Sequence, residues 1–135
     1  MDQRIRDSFA RQSLMATFGA ALVEIAPGRV TLTAPILPLA LQQHGAGHAG
    51  LTFALADSAA GYAALTLMPE GSEVMTAEAK INLLAPCIGQ RLIARGEVAK
   101  SGRRLTVCRA EVFALQDGEE TCIALLQATM IGVLP

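Results

Sequence analysis

Apolar positions along the chain change their spacing several times, and each change marks an element. Residues 2–17 set Ile5, Phe9, Leu14 and Met15 among polar neighbours, as an amphipathic helix does, and Gly19 ends the pattern. Residues 20–26 and 29–35 read as two strands joined at the turn dipeptide Pro27-Gly28. The second strand, RVTLTAP, alternates Val30, Leu32 and Ala34 with Thr31 and Thr33, so one face is wet. Residues 36–47 form a loop rich in Pro and Gly. A helix of about five turns is expected over 49–66, where β-branched residues are scarce, and Pro69, Glu70, Gly71 and Ser72 close it. Three or four strands follow, over 73–84, 90–100, 103–116 and 120–133. They are separated by Ala85-Pro86, Ser101-Gly102 and Asp117-Gly118, and the expected arrangement is an antiparallel meander. In 90–100, Leu92, Ala94, Gly96 and Val98 alternate with Arg95 and Glu97. In 103–116 the alternation slips around Val107-Cys108 and assigns no faces.

The segment HAGLTFALADSAAGYAALTLMP, residues 48–69, is the most apolar in the chain and carries one charged side chain, Asp57. A helix without a polar stripe must be surrounded. The expected class is therefore α+β: a single domain over 1–135, with a curved antiparallel sheet wrapped around this long central helix and an N-terminal helix in addition. Alanines at 54, 56, 59, 60, 63 and 64 keep the central helix thin. An internal Asp, an internal Gly and the absence of flanking basic anchors argue against a membrane span.

Composition narrows the partners. The chain is 52% hydrophobic but only 4% aromatic, so Ala, Leu, Val, Ile and Met must build the core. Such a small aliphatic chain leaves apolar surface to bury, and a homo-oligomer is expected. The net charge of -1, with no basic patch and no interleaved aromatics, gives nucleic acid no footing. Three cysteines, at 87, 108 and 122, have neither metal-like spacing nor an even count, and are read as reduced packing residues. The N-terminus lacks the apolar run of a secretory signal, so a cytoplasmic location is expected.

Asp57 is the chemical puzzle. It lies two turns inside its helix, too deep to be a cap. A surface position, in a narrow wet seam with Thr52 and Ser58, and an ion pair with a strand Arg are the plain alternatives to a site role. The helix entry, QQHGAGHAG, brings glycines that let a ligand approach the backbone, and first-turn N–H groups that favour developing negative charge. Ala49 and Asp57 are eight residues apart, about 12 Å along the axis. One Asp therefore cannot serve its own helix terminus. An antiparallel second copy brings each Asp57 to the other's first turn, and the spacing predicts a site shared between subunits.

These residues resemble the hotdog-fold acyl-CoA thioesterases of the PaaI-like group. That group carries Asn, five residues, His-Gly-Gly, and an Asp nine residues after the His. Here Gln42, His48, Ala49, Gly50 and Asp57 hold those positions. Thr76 and Pro86, in VMTAEAKINLLAP, repeat the group's Ser/Thr ten residues before a Pro, and KSGRRL matches its later basic turn. The likeness spans residues 13–133. It implies dimers, often paired into tetramers, that hydrolyse acyl-CoA with no cofactor beyond the coenzyme A of the substrate. The Ala49 backbone N–H, at the head of the Ala49-Gly50 pair, would polarise the thioester carbonyl. Asp57 of the neighbouring subunit would act as nucleophile or general base, Thr76 would hold the water, and Gln42 would orient carbonyl or water. Met75 and Ala77, beside Thr76, and Pro86 are candidate substrate contacts. Two departures bear on rate and range: Ala49 stands for Gly, and Gln42 is one methylene longer than Asn.

The remaining residues keep two readings each. His48 shapes the turn or touches substrate. Lys100, Arg103 and Arg104 meet coenzyme A phosphates or form an ordinary solvated turn. His44 reads as a loop surface residue. The His44-x-x-x-His48 spacing lies on a Gly-rich loop and not on a helix face, so no metal is expected. Met15, Met68, Met75 and Met130 are most simply core. Two alternatives to hydrolysis remain: acyl-CoA binding without turnover, and a hotdog hydratase or dehydratase, for which the Asp57–Thr76 pair is the poorer fit.

Overall fold

The computed structural model describes residues 2–134. Its elements in chain order are α1 (Asp2–Ala10), α2 (Ser13–Thr17), β1 (Ala21–Ala26), β2 (Arg29–Pro35), α3 (Ala49–Leu65), β3 (Glu73–Leu83), β4 (Arg91–Ser101), β5 (Leu105–Gln116) and β6 (Glu119–Val133), with a short 3-10 turn at Pro38–Ala40. The six strands form one antiparallel sheet in the order β1-β2-β4-β5-β6-β3, and it curves around α3. This is the expected α+β hotdog architecture.

Three expectations about the elements and their order change. The N-terminal helix is two helices, broken at Arg11-Gln12. The break turns Leu14 out to 49% exposure while Ile5 and Met15 stay buried. The last four strands are not one meander. β4, β5 and β6 are, but β3 pairs with β6 at the far edge, and β4 lies beside β2. The segment 84–90 makes that crossing around the end of the curved sheet, near the entry of α3, where Gly47 N donates to Cys87 O at 2.8 Å. β5 alternates without a slip, with Thr106, Cys108, Ala110, Val112 and Ala114 all buried. The irregularity lies opposite, at Ala99 of β4, where the register shifts between Val98 and Lys100. Apolar residues on the outer face of β5 hide its alternation. Leu105 is 53% exposed, and the Arg95 guanidinium covers Phe113 at 4.8 Å from the ring centre.

α3 packs on the sheet through its small residues. Ala56, Ala59, Ala60, Ala63 and Ala64 are fully buried. At Gly96 of β4 the helix backbone comes so close that a Cβ would strike the Ala59 carbonyl and stand 2.8 Å from Ala60 N. Thr66 caps the helix end, its hydroxyl donating to Ala63 O at 2.7 Å and accepting from Gly28 N at 2.7 Å. The Arg4 guanidinium donates to Leu65 O at 2.7 Å and Pro69 O at 2.8 Å, placing positive charge at the helix C-terminus and anchoring α1 there.

The sheet leaves one stripe of α3 uncovered. Phe53 is 37% exposed, and Gly50, Ala54, Asp57 and Ser58 share its face at helical spacing. The expectation of a wholly surrounded helix therefore fails in the single chain. β3 is likewise a bare edge of 11 residues. Met75, assigned to the core from sequence, is 56% exposed on it, while Met15 and Met130 are buried and Met68 is partly so.

Candidate active site

The candidate residues gather at two places on α3. At its first turn, His48 is the N-cap, in extended conformation (φ -66, ψ 143), and its Nδ1 accepts the Gly50 N–H at 2.7 Å. The neutral ring therefore carries its proton on Nε2. A side chain at Gly50 would put its Cβ 2.9 Å from that Nδ1, so glycine here makes room for the cap. Leu51 N and Thr52 N both turn to His48 O, at 3.0 and 3.4 Å. Ala49 N–H has no partner among the described residues, and Ala49 is exposed. One free donor thus stands at the positive end of a 17-residue helix.

The preceding loop is folded around Gln42. Its Oε1 accepts from His44 N at 2.6 Å and Ala46 N at 3.2 Å, so the loop occupies its acceptor and Nε2 remains the available donor. Gly47 rests on Cys87, where a Cβ would stand 2.5 Å from Sγ. That contact fixes the loop to the Pro86 segment, and Pro86 itself is exposed. Burial pushes the Cys87 thiol pKa up, against hydrogen bonds from Thr52 and Gly47.

At the second place, two turns along, Asp57 faces β3. Thr76 Oγ1 donates to Asp57 Oδ1 at 2.8 Å. Oδ2 has no partner, and Asp57 forms no ion pair among the described residues. The ion-pair explanation for Asp57 is therefore excluded there. Ala77 is the extra residue of a β-bulge in β3, where the register shifts between Thr76 and Glu78. The bulge turns Thr76 toward the helix and switches the inward face from Val74 to Ala79 and Ile81.

The strand register relates the basic turn to this second place. Thr76, Met130, Thr106 and Ser101 lie in one row across β3, β6, β5 and β4. Lys100, Arg103 and Arg104 are exposed at the same end of the sheet as Thr76, about 14 Å from it at ordinary strand spacing. Within one chain the structure therefore joins Asp57 to Thr76, and joins Gln42, His48, Ala49, Gly50 and the Pro86 segment. The two groups lie about 12 Å apart along α3. Ser8, Gln12 and Tyr62, which sequence reasoning did not single out, line a cleft beside Asp57. The spacing of Asp57, Ser58, Gly61 and Tyr62 on one helix face was a legible signal for Tyr62. Nothing in the sequence docked Ser8 and Gln12 against it.

Known proteins are similar to this chain. A family model, the thioesterase superfamily, matches residues 44–121. The chain belongs to that superfamily. A thioesterase family protein of Silicibacter pomeroyi is 48% identical, over 99% of this chain and 98% of its own, with a TM-score of 0.97. The PaaI protein of the Escherichia coli phenylacetic acid degradation operon shares 21% identity over 97% of this chain and 91% of its own, with a TM-score of 0.87. A Haemophilus influenzae thioesterase shares 19% over 96% and 88%, with a TM-score of 0.85. These last two likenesses speak to the fold. No curated protein sequence matches the chain. Thioester hydrolysis is the broad chemistry of this thioesterase-superfamily chain. No helix among the described residues is long and apolar enough to cross a membrane.

Proposed function

We propose that this protein hydrolyses acyl-CoA thioesters at a site built from two copies of the chain. The observation that carries the proposal is the separation of the unpartnered Ala49 N–H from the Thr76-held Asp57 carboxylate, about 12 Å along one helix. Each half is chemically incomplete. Two surfaces favour joining them by a twofold axis: the bare edge of β3, with Met75, Leu83 and Leu84 more than half exposed, and the uncovered stripe of α3 beside it. Pairing β3 with its copy runs the two α3 helices antiparallel, so that each Ala49 meets the other's Asp57. Pairing of two such dimers is a further expectation of the same reading.

In that assembly the partner's helix terminus polarises the thioester carbonyl through the Ala49 N–H and stabilises the negative charge that grows on its oxygen. Thr76 spends its proton on Asp57 Oδ1, which orients the carboxylate and leaves Oδ2 toward the substrate. Asp57 then attacks the acyl carbon or takes a proton from the attacking water. In the first route the thiolate of coenzyme A leaves as the acyl group passes to Asp57 as a mixed anhydride, which water then cleaves to the free acid, restoring Asp57; in the second, water adds to the carbonyl as Asp57 takes its proton, and that proton passes to the departing thiolate. Gln42 offers its Nε2 to the carbonyl or water. His48 acts as the cap that holds Gly50 N–H away from the site and leaves Ala49 as the donor. Lys100, Arg103 and Arg104 are candidate partners for the phosphates of coenzyme A.

Thiol release from a panel of acyl-CoAs tests this function. Asp57→Ala is expected to lower kcat by three orders of magnitude or more while leaving the melting point near that of the parent. Full activity in that variant removes Asp57 from the mechanism. Micromolar binding across the panel without turnover favours a binding protein instead.

A further inference from the structure

Beside Asp57 the protomer holds a cleft of about 280 Å³, at the small end for a ligand site. Asp57 and Thr76 line it together with Ser8, Gln12 and Tyr62. Tyr62 is 3% exposed and lies five residues beyond Asp57, about 7.5 Å along the helix. Gly61 lies between them. A Cβ there would meet only Val74 Cγ1 at 3.9 Å and Met130 Cε at 4.0 Å, which is ordinary contact. Packing does not demand glycine at this position, and Gly61 lines the cleft.

The cleft is polar apart from Gly61 and Val74, with Glu73 also on its wall, and Ser8, Gln12 and Tyr62 form a hydrogen-bonded cluster within it. Gln12 Nε2 donates to the Tyr62 hydroxyl at 2.8 Å, and the Tyr62 oxygen lies 3.1 Å from Ser8 Oγ. Ser58 Oγ reaches Gln12 Oε1 at 3.5 Å. Either hydroxyl can donate in the Tyr62–Ser8 pair, so one of their two protons is left without a partner among the described residues. The second N–H of Gln12 is also without a partner among the described residues. No step of the hydrolysis uses these donors. Ser8 and Gln12 also lie outside the segment 44–121 that the family shares.

We propose that Ser8, Gln12 and Tyr62 form the hydrogen-bonding end of the acyl site, which selects a short acyl group bearing a hydroxyl at its far end. The inference rests on the acyl-CoA reading above. A methyl terminus reaching this end displaces water from the donors and returns no hydrogen bond, whereas a hydroxyl replaces what the water gave.

Calorimetric binding of hexanoyl-CoA and 6-hydroxyhexanoyl-CoA to the full chain carrying Asp57→Asn tests the inference without turnover. The hydroxylated ligand is expected to bind roughly fivefold tighter, the worth of one ordinary hydrogen bond. Gln12→Met, close in shape but without donors, and Ser8→Ala should each bring the ratio toward one. Gly61→Ala, which fits the fold, should weaken both ligands by filling the cleft. Equal binding of the two ligands, or a ratio that neither Gln12→Met nor Ser8→Ala alters, overturns the assignment. A preserved ratio in a parent protein that hydrolyses neither ligand upholds the polar end and overturns the hydrolase reading instead.

Discussion

Ala49→Pro removes one backbone N–H and little else. Proline is favoured at the first helical position because its missing N–H is one that the helix leaves free. Ala49 N–H has no partner among the described residues, so no hydrogen bond of the protomer is lost. The residue before a proline must be extended, and His48 already has ψ 143. Ala49 is exposed, which leaves room for the ring. The substitution should therefore leave the melting midpoint within a degree or two of the parent. Deleting one oxyanion donor typically costs about 10²–10³ in kcat, or about 2.7–4 kcal/mol of transition-state stabilisation. The assay is steady-state thiol release, with thermal unfolding as the control for fold. The expected outcome is a kcat lowered at least a hundredfold in a protein that melts normally. Parent-like kcat would refute the role of this N–H and turn attention to the Nε2 donors of Gln42 and His48.

Other outcomes follow from packing and charge. Gly96→Ala drives a methyl into the Ala59 carbonyl, so it should cost about 1–3 kcal/mol and lower the melting point by several degrees. Burial raises the Cys108 thiol pKa to about 11, which leaves roughly one thiolate in a thousand at pH 8. Cys87 is raised as well, and only Cys122 is partly exposed. An aromatic disulfide reagent at pH 8 should therefore titrate one thiol in the native protein and three after unfolding; three fast thiols would contradict this packing. Glu120 is held below its ordinary value of 4.5 by its two-point hydrogen bond to Arg95. A lowered carboxylate stabilises the fold above its unfolded pKa and loses that contribution as pH falls through the folded pKa. The pair is exposed, so Glu120→Gln should cost under ~1 kcal/mol at pH 7 and less still in acid. A difference that grows on acidification would contradict the sign.

The sequence carried the elements because their signals are local. Asp117-Gly118 reads as a tight hairpin, and both residues do adopt positive φ, 51 and 84, as that turn requires. The alternation of Leu92, Ala94 and Gly96 needs only the pleat of one strand. Strand order was less legible, because nothing in 73–83 distinguishes a neighbour in β4 from one in β6. The choice comes from a sheet that must curl around α3. The bulges at Ala77 and Ala99 were hidden for the same reason: each shifts register against a partner strand. Asp57 and its distance from Ala49 were readable, since helical rise is fixed. The Thr76 contact came only with the family resemblance, and the capping by His48 Nδ1 depended on a rotamer. The polar cluster in the cleft depended on how α1 docks, through Arg4 and the Phe9–Tyr62 ring contact at 6.2 Å.

The central claim is that two copies of the chain supply one site, and mixed dimers test it most directly. Ala49→Pro keeps Asp57, and Asp57→Ala keeps the Ala49 N–H. In a mixed dimer of the two, one site receives both intact halves and the other receives neither. Co-expression with random pairing makes half of the dimers mixed, so about a quarter of parental kcat should return from two nearly inactive proteins. If mixed dimers, isolated by two different affinity tags, stay as inactive as either variant alone, then Ala49 and Asp57 do not act together across the interface.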